Sequence, residues 1–584
     1  MKAQTKSVGL GKWAVRGLFL TAVAAMSVAT GCSAEAEDAA SKGGDDTSGE
    51  MGQSQDEVRE VIPGPVAKST SGEVWAVENQ WADTATANAK KGGLAWGENS
   101  GLTWEQKYSK WVASFEKVDA RNYGKTLRIT TPWGKTLDGP VLECADVAIF
   151  LRTTFAAWYH LPFYMTGWKN GATVYFGHFG VVDRDGNPVS GFPLFKSQYR
   201  DNEKTWRSGT AWPSDSGLRA KHVGTDDNTS GVKIGDTMLK DGDGAGAYLD
   251  ELHLNKRVGH LQVVLDGYFG SMNLADGANL FHIKPEATAP GDALVERWQK
   301  DGIGHTLPVV AVNTLPSGKM RVNTASGSMP RRQPVWEDEA QSGNYFKMEA
   351  TGGEGDAYDG TPYAKLGGGI RRWRTPVITG GRWNNNVSTA NRANYIEDGN
   401  LTAIAARPAR FKELLAEDTP EAARDAALAT IETARRELGN RPASCSQRTK
   451  REEAFDALYD VMQRSFGKSK ADVDKQYRKL EDHVYAELGY AGAKTCCWNS
   501  TTPQMAEIVL DYANKEKARN DAAGVCRQPT VFKASGGGKY DTFKAHAASL
   551  GRAADWKEWS EDEPCAQRGA AEDPLGSHTS NMCR

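Results

Sequence analysis

Cys144 is the residue best placed to do chemistry in this chain, because apolar or helix-compatible residues follow it at the spacing of one helix face. These residues are Val147, Phe150, Leu151, Thr154, Phe155 and Trp158. The cysteine is therefore predicted to lie at or next to the N-terminus of a buried helix. Unpaired peptide N–H groups and the helix dipole favour an anion there. The thiolate is the reactive form of cysteine, so the position suits a nucleophile that needs a base.

His305 is the leading candidate for that base. It begins the apolar run His305 to Val312, which is predicted to be a strand, and a strand would hold the imidazole on a rigid sheet. The next predicted strand, Lys319 to Thr324, contains Asn323. A side-chain amide there could hold the second nitrogen of the imidazole, as the third member of a catalytic triad does.

Other assignments remain open for each member of this set. His178 is a rival base, because it is nearer to Cys144 in sequence and also lies on a predicted strand. Asn313 and Ser326 are alternatives to Asn323. Cys144 itself could be a buried structural thiol, since free cysteine is among the most buried residue types.

Two groups of residues resemble the NlpC/P60 cysteine peptidases, which belong to the papain-like group. Glu143-Cys144-Ala145-Asp146, the helix that follows and Leu161-Pro162 resemble that family's nucleophile helix. Pro290-Gly291-Asp292 and Gly304-His305 resemble its Pro-Gly-Asp turn and histidine strand. The resemblance covers about residues 120 to 340. It implies a papain-like fold, with Cys144 as nucleophile, His305 as base and Asn323 as orienting group.

The sequence departs from the family pattern at three points. Cys144 and His305 are 305 − 144 = 161 residues apart, so a long insertion is expected, at about residues 183–257. Ala145-Asp146 stands where the family usually has Ser-Gly. Pro308 interrupts the histidine strand, which predicts an edge strand or a bulge at that point.

The N-terminus is predicted to be a lipoprotein signal peptide, residues 1–31. Basic residues precede an apolar run that is too short to span a bilayer. The run ends in Ala29-Thr30-Gly31-Cys32, which resembles a bacterial lipobox with Cys32 as the lipidated residue. Ordinary signal cleavage is the alternative. Residues 32–64 are small, polar and acidic, so they are predicted to form a disordered tether.

Six cysteines lie after residue 440: Cys445, Cys496, Cys497, Cys526, Cys565 and Cys583. In an exported protein such a set indicates disulfide bonds, whose pairing the sequence does not choose. Helical spacing recurs over the same part of the chain. We therefore expect two domains: an α+β papain-like domain over residues 65–400, and a helical, disulfide-rich domain over residues 401–584.

Several classes of function are disfavoured by composition. The formal net charge is −3, with 71 basic against 74 acidic residues, so nucleic acid is not an expected partner. No His-Glu-x-x-His motif occurs, and the loop at Asp241 to Gly246 lacks oxygen ligands that a calcium site needs. No metal or cofactor is therefore predicted.

The expected protein is a lipid-anchored cysteine hydrolase of the bacterial cell envelope. By resemblance, it would cleave an amide bond in cell-wall peptide or in an envelope protein. Transglutaminase-like acyl transfer is an alternative on the same fold. A further alternative is a non-catalytic surface lipoprotein that binds glycan or a protein partner through its tryptophans.

Overall fold

The structure is a computed structural model, and it describes residues 60–121, 124–300, 304–357, 359–416, 419–440, 442, 445–484, 488–489, 502–527, 538–556 and 571–572. The predicted signal peptide, Cys32, Cys496, Cys497, Cys565 and Cys583 lie outside these residues, so the lipid anchor and the disulfide bonds stay predictions. Within the described part of the chain, no helix has both the length and the apolar character needed to cross a membrane.

The fold mixes helices and sheets, as the predicted α+β class requires. The helices are α1 (Ala87–Lys90), α2 (Trp104–Ala113), α3 (Cys144–Trp158), α4 (Phe195–Gln198), α5 (Ser216–Arg219), α6 (Ala245–Leu252), α7 (Lys256–Asp266), α8 (Ser271–Ala275), α9 (Glu339–Lys347), α10 (Leu401–Ala405), α11 (Arg407–Leu414), α12 (Pro420–Asn440), α13 (Cys445–Phe466), α14 (Lys470–Tyr477), α15 (Leu480–Val484), α16 (Pro503–Ala522) and α17 (Gly538–Ser549).

The strands are β1 (Val61–Val66), β2 (Glu116–Asp119), β3 (Lys125–Thr130), β4 (Thr136–Asp138), β5 (Tyr164–Lys169), β6 (Ala172–Gly177), β7 (Gly180–Val182), β8 (Lys233–Ile234), β9 (Thr237–Met238), β10 (Leu280–Ile283), β11 (Ala293–Glu296), β12 (His305–Thr314), β13 (Met320–Ser326), β14 (Val335–Trp336), β15 (Gly369–Trp373), β16 (Thr375–Thr379), β17 (Arg382–Asn386), β18 (Tyr395–Ile396), β19 (Leu488–Gly489) and β20 (Ala571–Glu572). β1 begins at Val61, inside the predicted tether of residues 32–64, so the folded part of the chain begins earlier than predicted.

A seven-stranded antiparallel sheet organises the first part of the chain, in the order β14-β13-β12-β11-β15-β10-β18. One face carries Val295 and Val310 into a large core with α3, the α3 core. The other face carries Leu307 and Val309 into a second core with α9 and α11, the α9 core. Strand alternation produces this division, because neighbouring side chains point to opposite faces.

Helix α3 lies inside the molecule, and all fifteen of its residues are buried. Phe155, near its C-terminal end, is packed among aromatic rings, including Trp81 at 6.2 Å and Tyr108 at 5.3 Å between ring centroids. The predicted helix after Cys144 is thus present. Apolar residues occur on all sides of the helix because neighbours cover it all round.

The apolar run Val258 to Leu265 predicts a strand from the sequence, but this prediction is wrong, because the segment lies in the helix α7. Val258, Leu261 and Leu265 are buried at helical spacing. An apolar run this short fits both the helix and the strand period, so the sequence does not distinguish them. The region predicted as a surface insertion is also more integrated than expected. Its β8 extends a five-stranded sheet in the order β2-β3-β4-β8-β9, and α6 belongs to the α3 core.

The later part of the described chain is predominantly helical. α12, α13 and α14 share one small core and α15, α16 and α17 share another. The buried ion pair of Arg435 in α12 with Asp482 in α15 joins the two, and Arg478, which follows α14, pairs with Glu452 in α13. The sheet's own core ends later than the predicted boundary at residue 400, because Phe411 and Leu415 pack in the α9 core.

Candidate active site

Cys144 is the first residue of α3, as the sequence predicted. Its thiol is buried but not sealed, with 7% of the residue exposed. Glu143 precedes it, and the Glu143 backbone N–H donates to the Asp146 carboxylate at 3.4 Å. The sulfur therefore lies where the N–H groups of the first helical turn and the positive end of the helix dipole act on it.

The backbone at the start of β12, the strand that begins with His305, contacts the Cys144 thiol. Cys144 Sγ lies 3.9 Å from the carbonyl oxygen of Gly304, the residue before His305. By bond lengths, the imidazole is then on the order of 10 Å or less from the sulfur. The structure thus brings together the two parts of the chain that the sequence predicted, across a separation of 161 residues.

The imidazole of His305 lies on the face of the sheet that packs against α9. His305 pairs with Glu296 on β11, and alternation places it on the face of Leu307 and Val309, in the α9 core. Its ring lies edge-on to Tyr345 of α9, with 6.3 Å between centroids. The imidazole is thus carried on the face of β12 that packs against α9, whereas the printed contact of the thiol is to the backbone just before this strand.

Asn323 does not reach His305 in this structure. It pairs with Ala311, six positions along β12 from His305, which is roughly 20 Å at the rise of a strand. Its side-chain amide donates instead to the Glu337 carbonyl at 3.1 Å. Ser326, the alternative on the same strand, lies nearer to the start of β12, and its hydroxyl donates to the Glu337 carboxylate at 2.9 Å.

The interruption at Pro308 takes the form of a bulge. Pro308 pairs with Ala293, and the register between β12 and β13 shifts between Val309 and Ala311. A bulge is one of the two outcomes that proline predicts in a strand. The other outcome, an edge position, does not occur, because β12 lies between β11 and β13.

His178 is held at the opposite end of α3. The helix is about 22 Å long, and His178 packs beyond its C-terminal end, with Nδ1 2.9 Å from the Phe163 carbonyl oxygen. Its ring lies edge-on to Trp383 at 4.4 Å, and burial lowers its pKa to about 4. The rival base is therefore a neutral structural histidine.

Buried carboxyl groups surround the start of α3. Burial raises the pKa of Asp146 well above its usual range, with a further contribution from the neighbouring Asp266 carboxylate. Burial likewise raises the pKa of Asp266, and neither of its carboxyl oxygens has a hydrogen-bond partner among the described residues. Both carboxyl groups are thus shifted toward their neutral form, and a neutral group does not oppose a thiolate.

A chain of ion pairs holds the residue before α3 in place. The Arg331 guanidinium lies 2.5 Å from the Glu143 carboxylate and 2.8 Å from that of Asp226, which belongs to the insertion. The Arg331 guanidinium also helps to lower the pKa of Asp226. Glu143, the residue before Cys144, is therefore linked through Arg331 to a segment 83 residues later in the chain (226 − 143).

Sequence reasoning missed Glu296, Asp266 and Arg331. Glu296 is fully buried directly opposite His305, and the pairing of β11 with β12 that brings the two together is not marked by any motif in the sequence. Asp266 and Arg331 come from parts of the chain far from Cys144 in sequence, and no motif next to either residue indicates that it lies at the start of α3. Within the described ranges, no group of three or more His, Cys, Asp or Glu residues is arranged to hold a metal ion.

No protein-family model, curated protein or solved structure matches this chain. The assignment of a function therefore depends on the chemistry of the site.

Proposed function

We propose that this protein is a cysteine-dependent amide hydrolase with Cys144 as nucleophile and His305 as base. The observation that carries the proposal is the 3.9 Å approach of the Cys144 sulfur to Gly304 at the start of the His305 strand. A nucleophile on a helix N-terminus, next to a histidine that begins an antiparallel strand, is the arrangement of the papain-like group. The proposed fold of this part of the chain is accordingly papain-like.

The reaction would begin with transfer of the thiol proton to the His305 imidazole. The thiolate attacks the amide carbonyl, and the N–H groups of the first turn of α3 stabilise the oxyanion. The imidazolium returns its proton to the departing amine, which leaves a thioester on Cys144. Water then cleaves the thioester, with His305 again taking a proton.

The His305 ring stands at the first position of β12 and lies edge-on to Tyr345. Glu296 replaces Asn323 as the proposed orienting group. It is the cross-strand neighbour of His305, and such side chains lie about 5 Å apart at Cβ.

The proposed substrate is a peptide amide of the bacterial cell envelope. Purified protein would be incubated with peptidoglycan and with envelope protein, and new ends would be mapped by mass spectrometry. Wild type should release fragments, whereas Cys144→Ala and His305→Gln should not. His178→Gln, a change to the buried histidine at the other end of α3, is the matched control and should remain active.

Retention of full cleavage in Cys144→Ala would overturn the proposal. Addition of a primary amine distinguishes hydrolysis from acyl transfer, because a transferase would leave the amine attached to the new carbonyl end. A surface lipoprotein that only binds would release no fragment from either substrate.

We further propose that the chain is lipid-anchored through Cys32 and carries disulfide bonds among its six later cysteines. Cys32→Ser should move the protein from the membrane fraction to the soluble fraction and abolish labelling by a fatty acid. Peptide mapping without reduction should show cross-linked cysteines. Membrane association that is unchanged in Cys32→Ser would contradict the anchor.

A further inference from the structure

Helix α7 lies antiparallel along α3. The ring of His253, just before α7, lies 6.3 Å from that of Trp158, the last residue of α3, between centroids. Farther along α7, the side-chain amide of Gln262 donates to the Phe150 carbonyl in the middle of α3 at 3.4 Å. The C-terminal end of α7 therefore lies beside the N-terminal end of α3, where Cys144 is.

Two buried carboxyl groups face each other at that point. Asp266 comes one turn after Gln262 and Asp146 one turn before Phe150, so the two side chains lie at the same level of the helix pair. Asp146 is 0% exposed and Asp266 is 4% exposed. Among the described residues, neither Asp266 oxygen has a hydrogen-bond partner, and the Asp146 carboxyl group accepts the Glu143 N–H through one oxygen alone. Burial and mutual repulsion thus both oppose the ionisation of the second group.

The ends of the two helices decide which carboxyl group holds a proton. Asp266 is the last residue of α7, where the helix dipole disfavours a negative charge. Asp146 lies in the first turn of α3, where the dipole favours one. Burial raises the pKa of both groups, and the Asp266 carboxylate raises that of Asp146 further. The arrangement therefore favours one proton for the pair, held mainly by Asp266.

Two further charged groups act on the pair, Glu143 from the residue before α3 and Arg331 from the loop after β13. β12 contributes His305, and α8 has no charged residue. Charged side chains of the other elements that pack on α3 and α7 are engaged elsewhere: Glu105 with Ser388, Lys196 with Glu73, Arg219 with Asp250 and Glu251, and Lys256 with Asp250. The charge beside the first turn of α3 therefore changes with the proton of the pair itself.

We propose that Asp146 and Asp266 share one proton, and that this proton controls the ionisation of Cys144. Cys144 precedes Asp146 by two residues in the same helical turn. Loss of the shared proton places a second negative charge beside the thiol and opposes the thiolate. Asp266 is thus a positioning residue that acts through Asp146. The inference rests on the proposed function only in that Cys144 is its nucleophile.

The pH dependence of Cys144 alkylation tests this control without any turnover. The rate with iodoacetamide would be followed by mass spectrometry of the Cys144 peptide from the full-length protein. In Asp266→Asn the pair carries at most one charge, so the midpoint of the pH–rate profile should fall by about 1 pH unit, and Asp146→Asn should lower it similarly. Asp119→Asn, at an exposed carboxylate, is the control and should leave the midpoint unchanged. Equal midpoints in wild type and both pair variants would overturn the proposal.

A second measurement does not depend on the thiol. Urea midpoints of wild type, Asp146→Asn, Asp266→Asn and the double variant would be compared at pH 8 and at pH 4. At pH 8 the two single changes should not add, because either substitution alone removes the interaction between the carboxyl groups. At pH 4, where both groups are protonated and the repulsion is gone, the departure from additivity should be smaller. Additive changes at pH 8 would overturn the shared proton. Failure of peptide cleavage with both results intact would instead refute the hydrolase.

Discussion

The two ends of α3 differ in what surrounds them, although both are buried. The C-terminal end is packed among aromatic rings around Phe155, and its buried histidines, His178 and His253, have pKa values lowered by burial to about 4 and about 3. The N-terminal end holds the Cys144 thiol. It also holds the carboxyl groups of Asp146 and Asp266, whose pKa values are raised by burial. The first end contributes packing, whereas the second retains polar groups that cost stability, which is the usual sign of a functional site.

Phe155→Ala should have the largest effect on stability. Loss of a fully buried phenyl ring from this cluster should lower the free energy of unfolding by about 3–5 kcal/mol, measured by urea denaturation. Phe155→Leu, which keeps most of the volume, should cost less. A loss below about 1 kcal/mol for Phe155→Ala would show that the aromatic end is not the structural end.

His253→Gln should reduce the sensitivity of the fold to acid. The folded-state pKa of about 3 lies below the usual 6.5, so the folded state binds fewer protons, and the stability this group supports is lost as the pH falls from about 6.5 toward 3. Between pH 6.5 and 5 the loss is about 2 kcal/mol for one such histidine. Urea denaturation at both pH values should show a correspondingly smaller loss in the variant. An equal loss in both proteins would contradict the assignment.

Asp266→Asn should have the opposite dependence on pH. The folded-state pKa of Asp266 is raised, so its contribution is fully present below the unfolded pKa of about 4 and is lost as the pH rises through the folded value. The variant should therefore be more stable than wild type at pH 8 by about 1–2 kcal/mol, with a smaller gain at pH 5. Unfolding curves at the two pH values measure this difference. Asp119→Asn, at an exposed carboxylate, is the control and should give no gain at pH 8.

Asp226→Asn should have the smallest effect. Asp226 is partly exposed, so loss of its ion pair with Arg331 should lower the free energy of unfolding by about 0.5–1 kcal/mol. The loss should shrink in high salt, which screens exposed charges. Thermal unfolding at low and high salt would show it, and a loss above about 2 kcal/mol at either would mean that Asp226 does more than hold Arg331.

Local patterns predicted α3 and the β12–β13 hairpin because each is encoded in consecutive residues. The 3.6-residue spacing after Cys144 marked the helix, and Pro316-Ser317-Gly318 marked the turn. The same reasoning misread α7 as a strand, because its few apolar residues do not distinguish the two periods. Periodicity therefore succeeded where the pattern was long or was bounded by a clear turn.

The partners within the site could not be predicted in the same way. Asn323 is predicted because its strand follows the His305 strand. Whether its side chain can reach His305 depends on the pairing register of β12 and β13, which the bulge after Pro308 and the length of β12 set. The face on which His305 lies depends on the same alternation. Arg331 and Asp266 meet the start of α3 through tertiary packing, which leaves no local trace in the sequence.

The ion pairs from Asp226 through Arg331 to Glu143 have a practical consequence for anyone who wishes to shorten this protein to the part that holds Cys144 and His305. Excision of residues 183–257 would remove Asp226, the strand that pairs Ile234 with Leu137, and α6 from the side of α3. A truncated version would then have to supply a new counter-charge for Arg331 and a new apolar cover for the helix. The long interval between Cys144 and His305 is thus part of the scaffold, and trimming should start elsewhere.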